Sequence, residues 1–373
     1  MARRSALPSV PDANVLRARL DRAREAAAGT GLVIAPGSDL RYLIGQPGGS
    51  FERLTALVIA ADGAPALVVP KLEAPAFERI ADLGVDIVTW VDGVDPYGLA
   101  AERLSGADRV AISDFTPALH VLGVRDALPK AEQVLAGPIV RELRMRKDAA
   151  EIDALRKAGA AIDRVHARVG EWLRPGRTEA EVGADIAAAI VAEGHTEADF
   201  VIVAAGPNGA SPHHALSDRV IEAGDVVVVD IGGRKGGFPS DITRMVAIGR
   251  PPEGYGQIHT IVEKAVQAAL KAARPGVMAK EVDAAARRVI ADAGYGEYFV
   301  HRTGHGMGID GHEPPYITAT SETVLEEGMV FSIEPGIYLP GRFGIRLEEI
   351  VILREDGPEI LSTLPRDLHV VRV

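Results

Sequence analysis

Cysteine is absent from all 373 residues. Disulfides, thiolate nucleophiles and cysteine-bound zinc are thereby excluded, and the chain suits a reducing compartment. Positive charge is also short, with 41 Lys and Arg against 52 Asp and Glu and a formal net charge of −11. Neutralising phosphates takes clustered Lys and Arg, and no long basic run occurs here, so a general nucleic-acid binder is excluded. No apolar stretch approaches the ~20 residues that span a bilayer. The basic start, MARRSALPSVPDANVL, has no apolar segment after it, unlike a secretory signal. What remains is an ordinary globular balance, 47 % hydrophobic and 25 % charged, with enough chain for two domains and real cores. The expectation is a soluble cytoplasmic enzyme with neither a nucleic-acid nor a membrane partner.

The first part alternates strand-like and helix-like segments. A helix over about 12–28 leads to a strand at 31–35, and Leu57-Val58-Ile59 and Leu67-Val68-Val69 flank the turn Ala61-Asp62-Gly63-Ala64 as a hairpin. Strands are expected at 85–91 and 109–113, with helices at about 72–83 and 95–105. This predicts a compact α/β domain over residues 1–140 and a second domain over 141–373, the border falling near Gly137-Pro138.

Beyond the border, Ile152, Leu155, Ile162, Val165, Val169 and Trp172 recur at helical spacing, one buried stripe that stops at Pro175-Gly176. A second helix begins at Thr178, with Glu181 completing a capping box. The same punctuation returns at an offset of one hundred residues: Arg174-Pro175-Gly176 as Arg274-Pro275-Gly276, and Glu181-Val182 as Glu281-Val282. A duplicated half-domain with a site at the seam is predicted.

Five donors stand out in the last third: Asp230 in VVVDIGG, Asp241 in SDITR, His305 in TGHGMG, Glu334 in SIEPG and Glu348 in RLEEIV. Asp230 and Asp241 are equidistant from the Lys235-Gly236 step in a Gly-rich hairpin connection, which predicts cross-strand partners with Cβ atoms roughly 4.5–5.5 Å apart. Glu334 and Glu348 are equidistant from Gly341 in the turn Leu339-Pro340-Gly341-Arg342, so a second hairpin pairs them. Facing like charges destabilise, and buried carboxylates are costly unless paired or metal-bound. A pair of divalent cations resolves the conflict, and the set reads as a two-metal hydrolytic site. Hard oxygen donors favour Mn²⁺, while the one imidazole leaves Co²⁺ and Zn²⁺ open.

The segments PHHALSDRVIEAGDVVVVDIGG, SDITR, HRTGHGMGIDGHE, FSIEPGIY and GIRLEEIVI resemble, in order, the metallopeptidase family of Xaa-Pro dipeptidase (prolidase), aminopeptidase P and methionine aminopeptidase. DLRYLIG near the start is similar to the N-terminal domain of prolidase, aminopeptidase P and creatinase. The resemblance implies a C-terminal pita-bread fold, of duplicated α+β half-domains around a curved antiparallel sheet, behind a smaller N-terminal α/β creatinase-like domain, in a homodimer. It further implies that Asp230 chelates one ion, Asp241 and Glu348 bridge both, and His305 and Glu334 hold the second.

A bridging hydroxide is then the expected nucleophile, with Glu334 shuttling its proton to the imino nitrogen of proline. His213, seventeen residues before Asp230, and His301 and His312, four before and seven after His305, match positions lining the family's substrate cleft. His213 and His312 are expected to donate to the substrate carbonyl and the transition state, and His214 to be a bystander. Arg346, two residues from Glu348 on one strand face, is expected to grip a substrate carboxylate bidentately. The activity implied is hydrolysis of Xaa-Pro dipeptides. Its alternatives are an aminopeptidase P acting on longer peptides and a non-catalytic relative of the fold. Creatinase lacks the acidic set, and bacterial methionine aminopeptidase lacks the N-terminal domain.

Overall fold

The computed structural model describes residues 11–49 and 52–373. Residues 1–10, most of the basic start considered above, and residues 50 and 51 lie outside the described residues. Two compact units part between Arg144 and Met145.

In the first unit, α1 (Ala13–Ala27) starts where the Asp12 side chain accepts from Asn14 N, and it buries Leu16, Leu20 and Ala23. There follow β1 (Gly31–Ile34), α2 (Ser38–Ile44), β2 (Ala56–Ile59), β3 (Ala66–Pro70), β4 (Asp86–Trp90), α3 (Pro96–Arg103), β5 (Arg109–Ile112), α4 (Ala118–Ala127), β6 (Glu132–Leu135) and α5 (Gly137–Met145). They build a six-stranded sheet in the order β4-β3-β2-β1-β5-β6. The β2–β3 hairpin is antiparallel, as its turn predicts. The helix expected near 72–83 is instead a 3₁₀ segment, Ala74–Leu83. Its buried Phe77, Ile80 and Leu83 recur every third residue, the 3₁₀ repeat rather than the α repeat.

The second unit opens with α6 (Ala149–His166), capped reciprocally by Asp148 and Glu151. The stripe expected to run unbroken to Trp172 is divided, because Arg168 N bonds to Val165 O, an i−3 bond that tightens the chain before α7 (Val169–Trp172). α8 (Glu179–Ala192) carries the predicted capping box of Thr178 and Glu181. Then come β7 (Glu197–Ala205), β8 (Val226–Lys235), β9 (Phe238–Ile248), α9 (Tyr255–Ala272), α10 (Ala279–Asp292), β10 (Gly304–Gly306), β11 (Glu313–Ile317), β12 (Val330–Ile333), β13 (Gly336–Leu339), β14 (Phe343–Arg346), β15 (Glu349–Arg354), β16 (Gly357–Ile360) and β17 (His369–Val371). The strands form sheets β17-β9-β8-β7 and β11-β10-β12-β15-β16 and the pair β13-β14.

Internal duplication is visible in the backbone hydrogen bonds. Gly176 N donates to Ile221 O and Ile221 N returns to Arg177 O; Gly276 N donates to Leu325 O and Leu325 N returns to Val277 O. The bridges Thr178↔Val220 and Met278↔Val324 repeat the match. Gly176 and Gly276 share a φ of 88°, a left-handed conformation that favours glycine in both copies. Each half then buries its own helices on its own strands. Ile162, Val165, Val182 and Ile190 pack with Val203, Val227 and Val229. Val262, Val266, Val282 and Ile290 pack with Phe331, Ile333 and Phe343. Each such side chain contributes roughly 1.5–3 kcal/mol on burial. Asp230, Asp241 and His305 thus sit on strands, and Glu334 and Glu348 between strands, in sheets packed against helices.

Candidate metal centre and substrate cleft

Asp230 lies on β8 and Asp241 on β9, but they are not directly opposite. Gly236 and Gly237, at φ 60° and 83°, form the two-residue turn, and this centres the hairpin one residue later than the spacing predicts. Asp230 therefore pairs with Thr243, and Asp241 with Gly232. A two-residue offset preserves the face, so the acids remain diagonal neighbours on one side of the sheet. Gly232 is needed there, because a Cβ would meet Ser240 O at 2.4 Å and the Phe200 ring at 2.3 Å. In the second hairpin Gly336 pairs with Arg346 and Ile333 with Glu349. The two ladders share one register, in which Glu334 and Glu348 face each other across the gap between them.

These elements gather all five donors. Ligand atoms of Asp230, Asp241 and Glu348 lie within 4.8 Å of one another, as do those of His305, Glu334 and Glu348, and those of Asp241, His305 and His312. All line one cavity of about 590 Å³, together with His213, His301, His312, Arg302, Arg346, Phe200, Ile202 and Pro212. That volume is in the range of small-ligand clefts.

The electrostatics show what the site accommodates. Burial first, and then Glu348, Asp230 and Glu334, push the Asp241 carboxyl well above the usual range. Glu348 shifts the same way, from burial and then Glu334 and Asp230. Burial pushes Glu334 up to about 7, against the opposing pull of Arg346. Desolvation and like charge both disfavour the ionised forms. Burial also lowers His305 to about 3, so its ring is neutral. His305 Nδ1 donates to Gly306 O at 3.1 Å, which leaves the Nε2 lone pair 3.3 Å from Glu334 Oε1 and 3.8 Å from Asp241 Oδ2. Asp230 Oδ1 is buried without a hydrogen-bond partner. Protons or divalent cations relieve this crowding, and a neutral imidazole among carboxylates is a donor set that fits a divalent metal.

Fixed donors hold the far side of three of these acids. Thr243 Oγ donates to Glu348 Oε2 at 2.7 Å, Ser332 Oγ to Glu334 Oε1 at 3.1 Å, and Arg346 NH2 to Asp230 Oδ2 at 2.5 Å. Such partners orient metal ligands and tune their basicity. The sequence pattern alone did not single out Thr243 and Ser332, although each lies two residues from a key acid and hence on the same strand face. Arg346 also donates to Tyr338 O–H at 2.9 Å, Pro212 O at 3.2 Å and Thr243 Oγ at 3.2 Å. Its fork, expected to face a substrate carboxylate, is committed to the protein instead, because the strand register brings Asp230 within its reach.

The histidines divide by their partners. His213 lines the cavity, whereas His214 Nε2 turns to the fully buried Glu179 at 2.7 Å. Glu179 also accepts from Ala205 N, Asn208 Nδ2 and Ser217 Oγ, which pins the loop that presents His213. The His312 ring lies tilted against that of His305, with centroids 3.8 Å apart. His301 uses both ring nitrogens within the protein, Nδ1 with Arg302 O and Nε2 with Tyr338 O–H, each at 2.7 Å. Two further supports have no local signature: Asp283 accepts from Thr303 N and Oγ just ahead of His305, and Lys147 pairs with Glu313 at 2.8 Å beside His312. Nothing nearby in the sequence marks these acids, since their partners lie 20 and 166 residues away.

The profile of Metallopeptidase family M24 matches residues 153–355, and that of the Creatinase/Prolidase N-terminal domain matches residues 17–146. A protein called probable dipeptidase PepE in Mycobacterium tuberculosis is 57% identical over 97% of this chain and 98% of its own. An Xaa-Pro dipeptidase of Lactobacillus helveticus is 34% identical over 90% of this chain and 93% of its own. The crystal structure of dipeptidase PepE from Mycobacterium ulcerans superposes with a TM-score of 0.94 at 55% identity, covering 97% of this chain and 100% of that one. The duplicated second unit is thus a pita-bread domain, and the unit that precedes it in the sequence is a creatinase-like α/β domain. Among the described residues, no helix is long and apolar enough to cross a membrane.

Proposed function

Because the chain belongs to metallopeptidase family M24, we propose that it is an Xaa-Pro dipeptidase, which splits a dipeptide into a free amino acid and proline. The observation that carries this reading is the convergence of Asp230, Asp241, His305, Glu334 and Glu348 in one cavity. These five would hold two divalent ions. Asp241, His305 and Glu348 each occur in two of the ligand groups, so the five form one connected donor set. Oxygen-rich donors favour Mn²⁺ over Co²⁺ or Zn²⁺. Two such ions would supply Lewis acidity toward the scissile carbonyl and would make a water acidic enough to attack near neutral pH.

The remaining work falls to the chain. Glu334, which lines the cavity and is held by Ser332 Oγ, takes the proton of the attacking water and returns it to the prolyl nitrogen as the C–N bond breaks. His213 and His312 donate to the carbonyl oxygen as negative charge develops on it. His301 orients Tyr338, and Arg346 orients Asp230, as positioning residues. With this reading go a homodimer and a cytoplasmic location, which sedimentation and cell fractionation test.

The deciding experiment strips the purified protein with chelator, reloads it with Mn²⁺, and compares Ala-Pro with Ala-Pro-Ala. Metal-dependent cleavage of Ala-Pro is expected, with turnover and bound metal both lost in Asp241→Ala and Glu348→Ala. A clear preference for the tripeptide would replace the dipeptidase by an aminopeptidase P. Failure to bind metal or cleave either peptide would make the chain a non-catalytic relative.

A further inference from the structure

Resting on the dipeptidase reading above, a question of charge arises in the cleft. A dipeptide brings its own carboxylate into a cavity already lined by Asp230, Asp241, Glu334 and Glu348. The substrate carboxylate adds a further negative charge beside those acids, so its binding favours a cation whose donors are not already taken. Arg346 does not supply it, since four of its five N–H donors are taken by Thr243, Pro212, Tyr338 and Asp230. Arg302 is the other guanidinium that lines the cavity.

We propose that Arg302 anchors the C-terminal carboxylate of the dipeptide and so selects substrates that end at proline. Among the described residues Arg302 pairs with no carboxylate. The one hydrogen bond of its side chain is from NH2 to His312 Nδ1 at 3.1 Å, which leaves four N–H donors for a ligand. Its guanidinium carbon lies 4.8 Å from the centroid of the Tyr316 ring, a cation–π contact that holds the fork in place without neutralising it. Tyr316 is the β11 partner of His305 on β10, so the fork is tied to the strand pair that carries a donor of the metal centre. The bond to His312 joins the anchor to a group that addresses the scissile carbonyl. One side chain thus sets how far a bound chain reaches beyond the cleaved bond. A planar guanidinium grips a carboxylate through two parallel bonds, a geometry that an amide or a continuing peptide cannot match.

The test compares wild type, Arg302→Met and Arg302→Lys in the Mn²⁺-loaded protein, with Ala-Pro and its C-terminal amide as substrates. Arg302→Met is expected to raise KM for Ala-Pro by about 10- to 100-fold, the range for losing a charge-assisted pair, while any fall in kcat from the lost bond to His312 is shared by the amide. KM for the amide should not move, and Arg302→Lys should recover part of the loss for the free acid only. Equal loss on both substrates, or none on Ala-Pro, overturns the proposal. Calorimetric binding of proline and prolinamide reads the same anchor without turnover. A preference for proline that Arg302→Met abolishes supports it, and equal binding in wild type and variant refutes it. Absence of dipeptide cleavage by the wild type would instead end the parent reading, a result that the proline titration does not depend on.

Discussion

Replacing Glu334 by Gln in the metal-free protein isolates the cost of ionising a buried acid among its neighbours. Burial raises Glu334 from 4.5 to about 7, and its side chain is only 15% exposed. A native pKa above the unfolded value means that the folded state binds the extra proton, so stability falls as pH rises through that window. Every tenfold difference in proton affinity between the folded and unfolded chains corresponds to about 1.4 kcal/mol. The full window from 4.5 to about 7 therefore amounts to about 3 kcal/mol, of which most is expressed between about pH 5 and pH 8.

Histidines push the other way. His166 and His301 fall to about 4 and His305 to about 3, so each withholds a proton in the fold and costs stability as pH drops below 6.5. Comparing two proteins that share these histidines cancels their contribution to first order. Urea denaturation of chelator-treated wild type and Glu334→Gln should show the variant gaining about 2–3 kcal/mol relative to wild type from pH 5 to pH 8. Adding Mn²⁺ should reverse the order at pH 8, because the ion binds the ionised carboxylate that Gln lacks. A pH-independent difference in the metal-free proteins would refute the argument, since it would mean that Glu334 titrates alike in the folded and unfolded chains.

Three further outcomes are expected. Thr243→Val strips Glu348 Oε2 of its donor and Arg346 Nε of its acceptor; metal titration should show affinity reduced about 10- to 100-fold, and an unchanged isotherm would count against the support role. Glu313→Ala leaves Lys147, with a side chain 1% exposed, as a buried charge without its partner carboxylate, which should destabilise the fold by about 3–5 kcal/mol in urea. His213→Ala should lower kcat with little change in melting temperature, whereas His214→Ala, which removes a partner of buried Glu179, should lower the melting temperature first. The opposite division would mean that the wrong histidine faces the cleft.

Much of this protein is legible one residue at a time. The capping pair Thr178 and Glu181 predicts the start of α8 because a cap is a contact between residues three apart. The repeat of Arg-Pro-Gly predicts the duplication because each copy solves the same local problem, a helix stop before a new helix. The five donors stand out by their strand-like and glycine-flanked settings. Spacing places Asp230 and Asp241 on the right face of their hairpin but in the wrong register, since the two-glycine turn at Gly236 and Gly237 moves its centre. The α repeat does not mark the division of α6 from α7 or the 3₁₀ segment at Ala74–Leu83, since both depend on i−3 bonds.

Residue chemistry and short-range spacing were enough to specify the inventory: which side chains could bind a cation, which strand faces would carry them, and where helices begin. The folded molecule alone assigned those groups their partners. It committed Arg346 to Asp230, turned His214 to Glu179 and left Arg302 bonded to His312 rather than to an acid. The reason is competition at a distance. Which acid an arginine meets depends on the register of strands more than one hundred residues apart, and no local pattern carries that register.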